Sequence, residues 1–121
     1  MDEEIQMLVV SQRAMPHLIA LAEQEIARNR AIHEECGDDW PDDFDANDIH
    51  VFEIMLESLL AVQGRGEAIV DFTGKPGWFL LGALPDYVKR LGPSLTNEDF
   101  SSLEHVYVQG ALPGARPFPT R

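Results

Sequence analysis

The chain has 121 residues, about 13.5 kDa, with 21 Asp+Glu against 9 Lys+Arg and a formal net charge of -12 at pH 7. That length fits one domain, and 45% hydrophobic residues supply a core for it and exclude wholesale disorder. The negative field excludes nucleic acid and anionic membrane as direct partners, because both repel it unless a basic patch intervenes, and no such run stands in the sequence.

Met1-Asp2-Glu3-Glu4 is acidic where a secretory leader needs positive charge. No apolar run approaches the ~18 residues of a membrane span, so a cytoplasmic location is expected. Residues 3–13 place Ile5, Leu8 and Val9 at helical spacing. Pro16 suits the first turn of a helix reaching about Glu35, whose stripe Leu18, Ile19, Ala22 and Ile26 opposes Glu23, Arg28 and Arg30. The stretch Gly37 to Ala46 is rich in Asp and Pro and reads as a loop. Asp45 or Asn47 then caps a third helix from about Asp48 to Gln63, with Phe52, Met55, Leu56, Leu59 and Leu60 at three- and four-residue spacing and Gly64 and Gly66 closing it.

Beyond Glu67 the pattern changes. Ala68-Ile69-Val70-Asp71-Phe72 is β-prone, Thr73 to Gly77 is rich in turn residues, and Trp78-Phe79-Leu80-Leu81 is apolar throughout. A hairpin fits these residues, and so does a short buried helix from Gly77. Pro85 at a first helical position, with Tyr87, Val88 and Leu91 on one side and Gly92 past the end, predicts a two-turn helix. Thr96 followed by Asn97-Glu98-Asp99 predicts the start of a last helix carrying Phe100, Leu103 and Tyr107. The expected architecture is mainly α: a single-domain bundle of four to five helices over residues 1–109, with one β-hairpin around residues 67–82, an acidic loop at 37–47, and a Pro/Gly-rich extended tail over 110–121. An apolar face left uncovered by so small a bundle would be buried by a homodimer.

Charge is distributed unevenly. Residues 1–48 hold 13 acids and three arginines, a sum of -10, whereas residues 49–121 hold eight acids and six bases, a sum of -2. Within the first half, residues 34–48 contain Glu34, Glu35, Asp38, Asp39, Asp42, Asp43, Asp45 and Asp48 with no Lys or Arg, interleaved with Trp40 and Phe44. Carboxylates this dense repel one another unless a cationic partner relieves them, and the two aromatic rings would supply anchor area for such a partner. The other reading is a solvated loop with both rings folded onto the core.

Smaller motifs carry less. Asp43-x-Asp45-x-Asn47 matches the first three ligand positions of an EF-hand calcium loop, but Asp48 stands where glycine is required and Ile54 where a bidentate Glu is required. Asp38-Asp39-Trp40-Pro41-Asp42 spells a magnesium-diphosphate motif, which Pro41 keeps off the helix that motif needs. His50, Glu53 and Glu57 fall on one side of the third helix and would serve a small all-α magnesium-dependent hydrolase; amphipathic patterning makes the two glutamates a solvated face instead. Cys36 has no partner for an internal disulfide, and with His33 it makes at most half a zinc site. Gln63-Gly-Arg-Gly66 and Thr73-Gly-Lys-Pro-Gly77 lack phosphate-loop spacing and read as chain reversals.

The expectation is therefore a non-enzymatic interaction protein without cofactor, metal or catalytic residues. Its segment 34–48 would engage and inhibit a basic protein surface, by the physics that immunity proteins, antitoxins, nucleic-acid mimics and phage inhibitors share. The alternatives are a metal-dependent hydrolase of a nucleotide or phosphate compound and a self-assembling structural subunit.

Overall fold

A computed structural model describes residues 6–36, 47–110 and 118–119. In chain order the elements are strand β1 (Met7–Val10), helix α1 (Met15–Cys36), helix α2 (Asn47–Val62), strand β2 (Ala68–Asp71), helix α3 (Lys75–Leu91), one turn of 3₁₀ helix (Gly92–Ser94) and helix α4 (Asn97–Gly110). The protein is a small helical bundle with one two-stranded antiparallel sheet, as expected.

The sheet is not built as the local pattern suggests. Its β2 arm lies within the 67–82 window, but its partner is β1, with Met7 opposite Asp71 and Val10 opposite Ala68. Residues 78–81 belong to α3 instead. The helical spacing read over residues 3–13 yields to a strand because Leu8 and Val10 alternate inward while Met7 is exposed, a period of two. Four residues fit either period, and pairing with β2 decides between them. The ladder continues past β1, where the Phe72 amide donates to the Gln6 carbonyl at 2.8 Å and the Gln6 amide donates to the Thr73 hydroxyl at 2.9 Å. The outer edge of β1 is closed by a side chain. The Gln109 amide accepts from the Val9 N–H at 2.9 Å and donates to the Val9 carbonyl at 2.8 Å, taking the part of a third strand.

Helix α1 starts where the Ser11 hydroxyl accepts from the Ala14 N–H at 3.2 Å, and Pro16 occupies its first turn. Leu18, Leu21 and Ala22 on α1 and Met55 and Leu59 on α2 are fully shielded and pack against one another in the core. The chain then reverses tightly into α3: Gly74 takes φ 75°, and Gly77 lies so close to the backbone of Phe72 that a Cβ there would collide with the Phe72 carbonyl.

Helix α3 joins two segments that the sequence separates. Pro85 lies inside it, where an interior proline removes a backbone hydrogen bond and costs about 3 kcal/mol. Leu80, Leu81 and Leu84 before it and Tyr87 and Val88 after it are all buried. At roughly 1.5–3 kcal/mol for each large side chain, that stripe outweighs the proline penalty and carries one helix through. Helix α4 has the cap its sequence announces: the Thr96 hydroxyl accepts from the Asp99 N–H at 3.1 Å, with Glu98 and Asp99 in the first turn. Of the expected extended tail, Phe118 and Pro119 are described. Phe118 packs with ring centroids 5.3 Å from both Phe100 and Tyr107, so this part of the tail is seated on α4.

Candidate functional site

Of the ten residues expected to form the partner site, Asp38, Asp39, Trp40, Asp42, Asp43, Phe44 and Asp45 lie outside the described residues. Glu34 and Glu35 stand exposed in the last turn of α1, and Asp48 falls in the first turn of α2. Arg30 reaches Glu53 while Glu23 lies near Leu60, so α1 and α2 run antiparallel. The two flanks of the acidic segment are therefore brought to one end of this helix pair. Among the described residues, no Lys or Arg forms an ion pair with Glu34 or Glu35; Arg13, Arg28 and Arg30 are engaged with Glu98 and Asp99, Glu25, and Glu53 respectively.

Along the same helix pair runs an open groove of about 450 Å³. Its floor is apolar, made by Ile26 and Ala27 of α1 and Leu56 and Leu60 of α2, and its rim carries Glu23, Glu53 and Glu57 against Arg30 alone. Leu60 is 48% exposed, and Ile54, 41% exposed, lies on α2 as well. The helical spacing of Phe52, Met55 and Leu59 sends those three into the core and leaves Leu56 and Leu60 turned toward the groove. Glu53 and Glu57, which would have been magnesium ligands in the hydrolase reading, are rim residues here. Glu53 is 3.5 Å from the Arg30 guanidinium, and no three His, Cys, Asp or Glu side chains converge as metal ligands among the described residues.

A polar constellation that the sequence did not suggest joins α1, α3 and α4. The His17 ring places Nδ1 2.9 Å from the Tyr87 hydroxyl and Nε2 3.2 Å from Asp99 Oδ2, and Arg13 bonds Asp99 at 3.1 Å and Glu98 at 2.8 Å. A neutral ring satisfies both contacts when Nε2–H donates to Asp99 and Nδ1 accepts from Tyr87. Burial works to raise the Asp99 carboxyl, but the hydrogen bonds and positive charge of His17 and Arg13 outweigh it and hold the group below its ordinary value. Burial also pushes the Tyr87 phenol up, with the charge of Arg90 opposing and that of Asp99 adding. Both ring nitrogens of His17 are occupied, so the imidazole cannot take a proton from a substrate in this arrangement; the cluster acts as a clamp between three helices. Sequence separations of 70 and 82 residues hid it.

The acidic segment was visible as a charge run. The groove beside it was not, because naming Leu56 and Leu60 as core required no knowledge of where α1 would lie. No protein-family model matches the chain, and no curated protein or solved structure matches it, so the functional reading rests on this geometry.

Proposed function

We propose that the protein is a non-enzymatic binding module that captures a basic amphipathic helical segment of a partner protein, and so occupies and inhibits it. The observation that carries this reading is the α1–α2 groove, an exposed apolar floor rimmed by Glu23, Glu53 and Glu57 and ending beside Glu34, Glu35 and the acidic segment that follows. An amphipathic helix laid in such a groove buries its apolar stripe on Leu56 and Leu60 while its lysines and arginines meet the rim. The net charge of -12 steers the encounter, and the apolar floor holds the product.

The test is calorimetry of the full chain with a model peptide that is Lys-rich on one helical face and carries Leu at i, i+3, i+4 and i+7. Polylysine serves as the control for charge alone. Saturable binding is expected, weakening on the order of tenfold as salt rises through the physiological range. Glu23→Gln with Glu53→Gln and Glu57→Gln should weaken it, and so should the joint replacement of Asp38, Asp39, Asp42 and Asp43 by Asn, each with an unchanged circular dichroism spectrum. Equal affinity for polylysine, or indifference to both sets of substitutions, overturns the proposal.

A further inference from the structure

On the other side of α1, between it and α3, lies a second open groove of about 660 Å³ with the opposite electrostatic character. The described residues contain seven lysines and arginines, and three of them, Arg28, Lys89 and Arg90, line this one groove of a strongly acidic protein. The clustering is invisible in the sequence, where 60 positions separate Arg28 from the other two.

Two features of α3 have no explanation in the packing of the chain itself. Trp78 is 49% exposed although it belongs to a helix that buries Leu80, Leu81 and Leu84. A large ring left half in water is a surface prepared for contact. Gly82, one turn further on, sits in the interior of the same helix, where glycine costs about 1 kcal/mol relative to alanine. A Cβ at Gly82 would meet nothing within 4 Å, so no neighbour in the fold requires the glycine. What its missing side chain leaves is a bare stretch of groove floor directly beside the indole.

We infer that this groove is a binding site for a nucleoside phosphate. The base stacks against Trp78 over Gly82, the phosphate meets Arg28, Lys89 and Arg90, and Asp86 between them accepts from the sugar hydroxyls. The spacing agrees with that order. At 1.5 Å rise per residue, Gly82 and Lys89 are separated by about 10 Å along the helix, the span from a base through its sugar to a phosphate. Glu25, buried in the wall and 3.7 Å from Arg28, orients that guanidinium. The C-terminal dipole of α3 opposes an anion at its last turn, and Lys89 and Arg90 stand in that turn to reverse the local field. The site is separate from the acidic groove and does not depend on the function proposed above.

The experiment uses the full chain carrying Trp40→Phe, so that Trp78 is its only tryptophan, and titrates it with AMP, adenosine and inorganic phosphate, following fluorescence and heat together. Saturable quenching of Trp78 by AMP is expected, with adenosine and phosphate each at least tenfold weaker. Gly82→Leu, whose side chain grows into open groove, should abolish AMP binding while leaving helicity and melting temperature in place. Arg28→Gln with Lys89→Gln and Arg90→Gln should weaken it at least tenfold. No saturable AMP signal at millimolar concentration overturns the inference, as does equal binding of adenosine or of phosphate alone, or AMP binding that survives Gly82→Leu. Quenching by the chain's own 34–48 peptide bearing Trp40→Phe, in place of AMP, would assign the groove to a second copy and equally overturn it.

Discussion

Gln109 offers the sharpest check on how the helices and the sheet hold together. Its carboxamide supplies both an acceptor for the Val9 N–H at 2.9 Å and a donor to the Val9 carbonyl at 2.8 Å, closing the edge of β1 from α4. Gln109→Ala deletes both bonds and leaves two half-shielded backbone groups to find water. Each neutral hydrogen bond contributes roughly 1 kcal/mol net, so the loss is about 2 kcal/mol, offset by a few tenths for the better helix propensity of alanine. With an unfolding entropy of roughly 2.1 cal/mol/K per residue over 121 residues, the melting temperature falls by about 7 °C. Urea denaturation and differential scanning calorimetry at pH 7 read the change, with Val108→Ala, at a position 66% exposed, as the neutral control. Gln109→Glu sharpens the test. It keeps an acceptor for Val9 N–H but turns a carboxylate oxygen toward the Val9 carbonyl, so it should be at least as destabilising at pH 7 and recover as the carboxyl protonates. A drop under about 2 °C for Gln109→Ala, or a Glu variant as stable as the parent, would refute the side chain's role as a surrogate strand.

Two further outcomes follow from particular contacts. Gly77→Ala places a methyl group against the Phe72 carbonyl and 2.7 Å from its Cα, and that backbone belongs to a fully buried residue that cannot retreat, so a loss of about 3 kcal/mol or more is expected in urea melts. Alanine at Gly77 with parental stability would show that the β2–α3 reversal is looser than described. The Asp99 carboxyl is held below its unfolded value, so its contribution is complete above about pH 4 and disappears as pH falls through the depressed folded value. Asp99→Asn should therefore lower stability at neutral pH and flatten the acid limb of the stability curve below about pH 4, and an acid limb of unchanged slope would contradict the His17–Arg13–Asp99 assignment.

Local pattern alone carried much of this fold. The α2 stripe from Phe52 to Leu59, the Thr96 cap and first-turn acids of α4, and the run of α1 from Pro16 to the end of its apolar stripe are all stated by residues within one or two turns of each other, which is why they could be read without a partner in view. The crowding of carboxylates in 34–48 is likewise a property of the chain itself, because charge repulsion between neighbours needs no tertiary contact to be inferred.

What the fold alone decided is where elements separated in sequence meet. Whether Met7–Val10 is helix or strand depends on Ala68–Asp71, some sixty residues away. Whether Pro85 starts a helix or sits inside one depends on the core that receives Leu80, Leu84 and Val88. Had a continuous helix been drawn from Lys75, its inward stripe would have placed Trp78, Gly82, Asp86 and Lys89 together on the outer side, but Arg28 could join them only through the packing of α1 beside α3. The clamp of His17, Tyr87 and Asp99 and both grooves are of this kind. Side-chain periodicity within one element is a local steric property, whereas a cavity or a hydrogen-bonded cluster exists only between elements, and its position follows from how the buried faces pack.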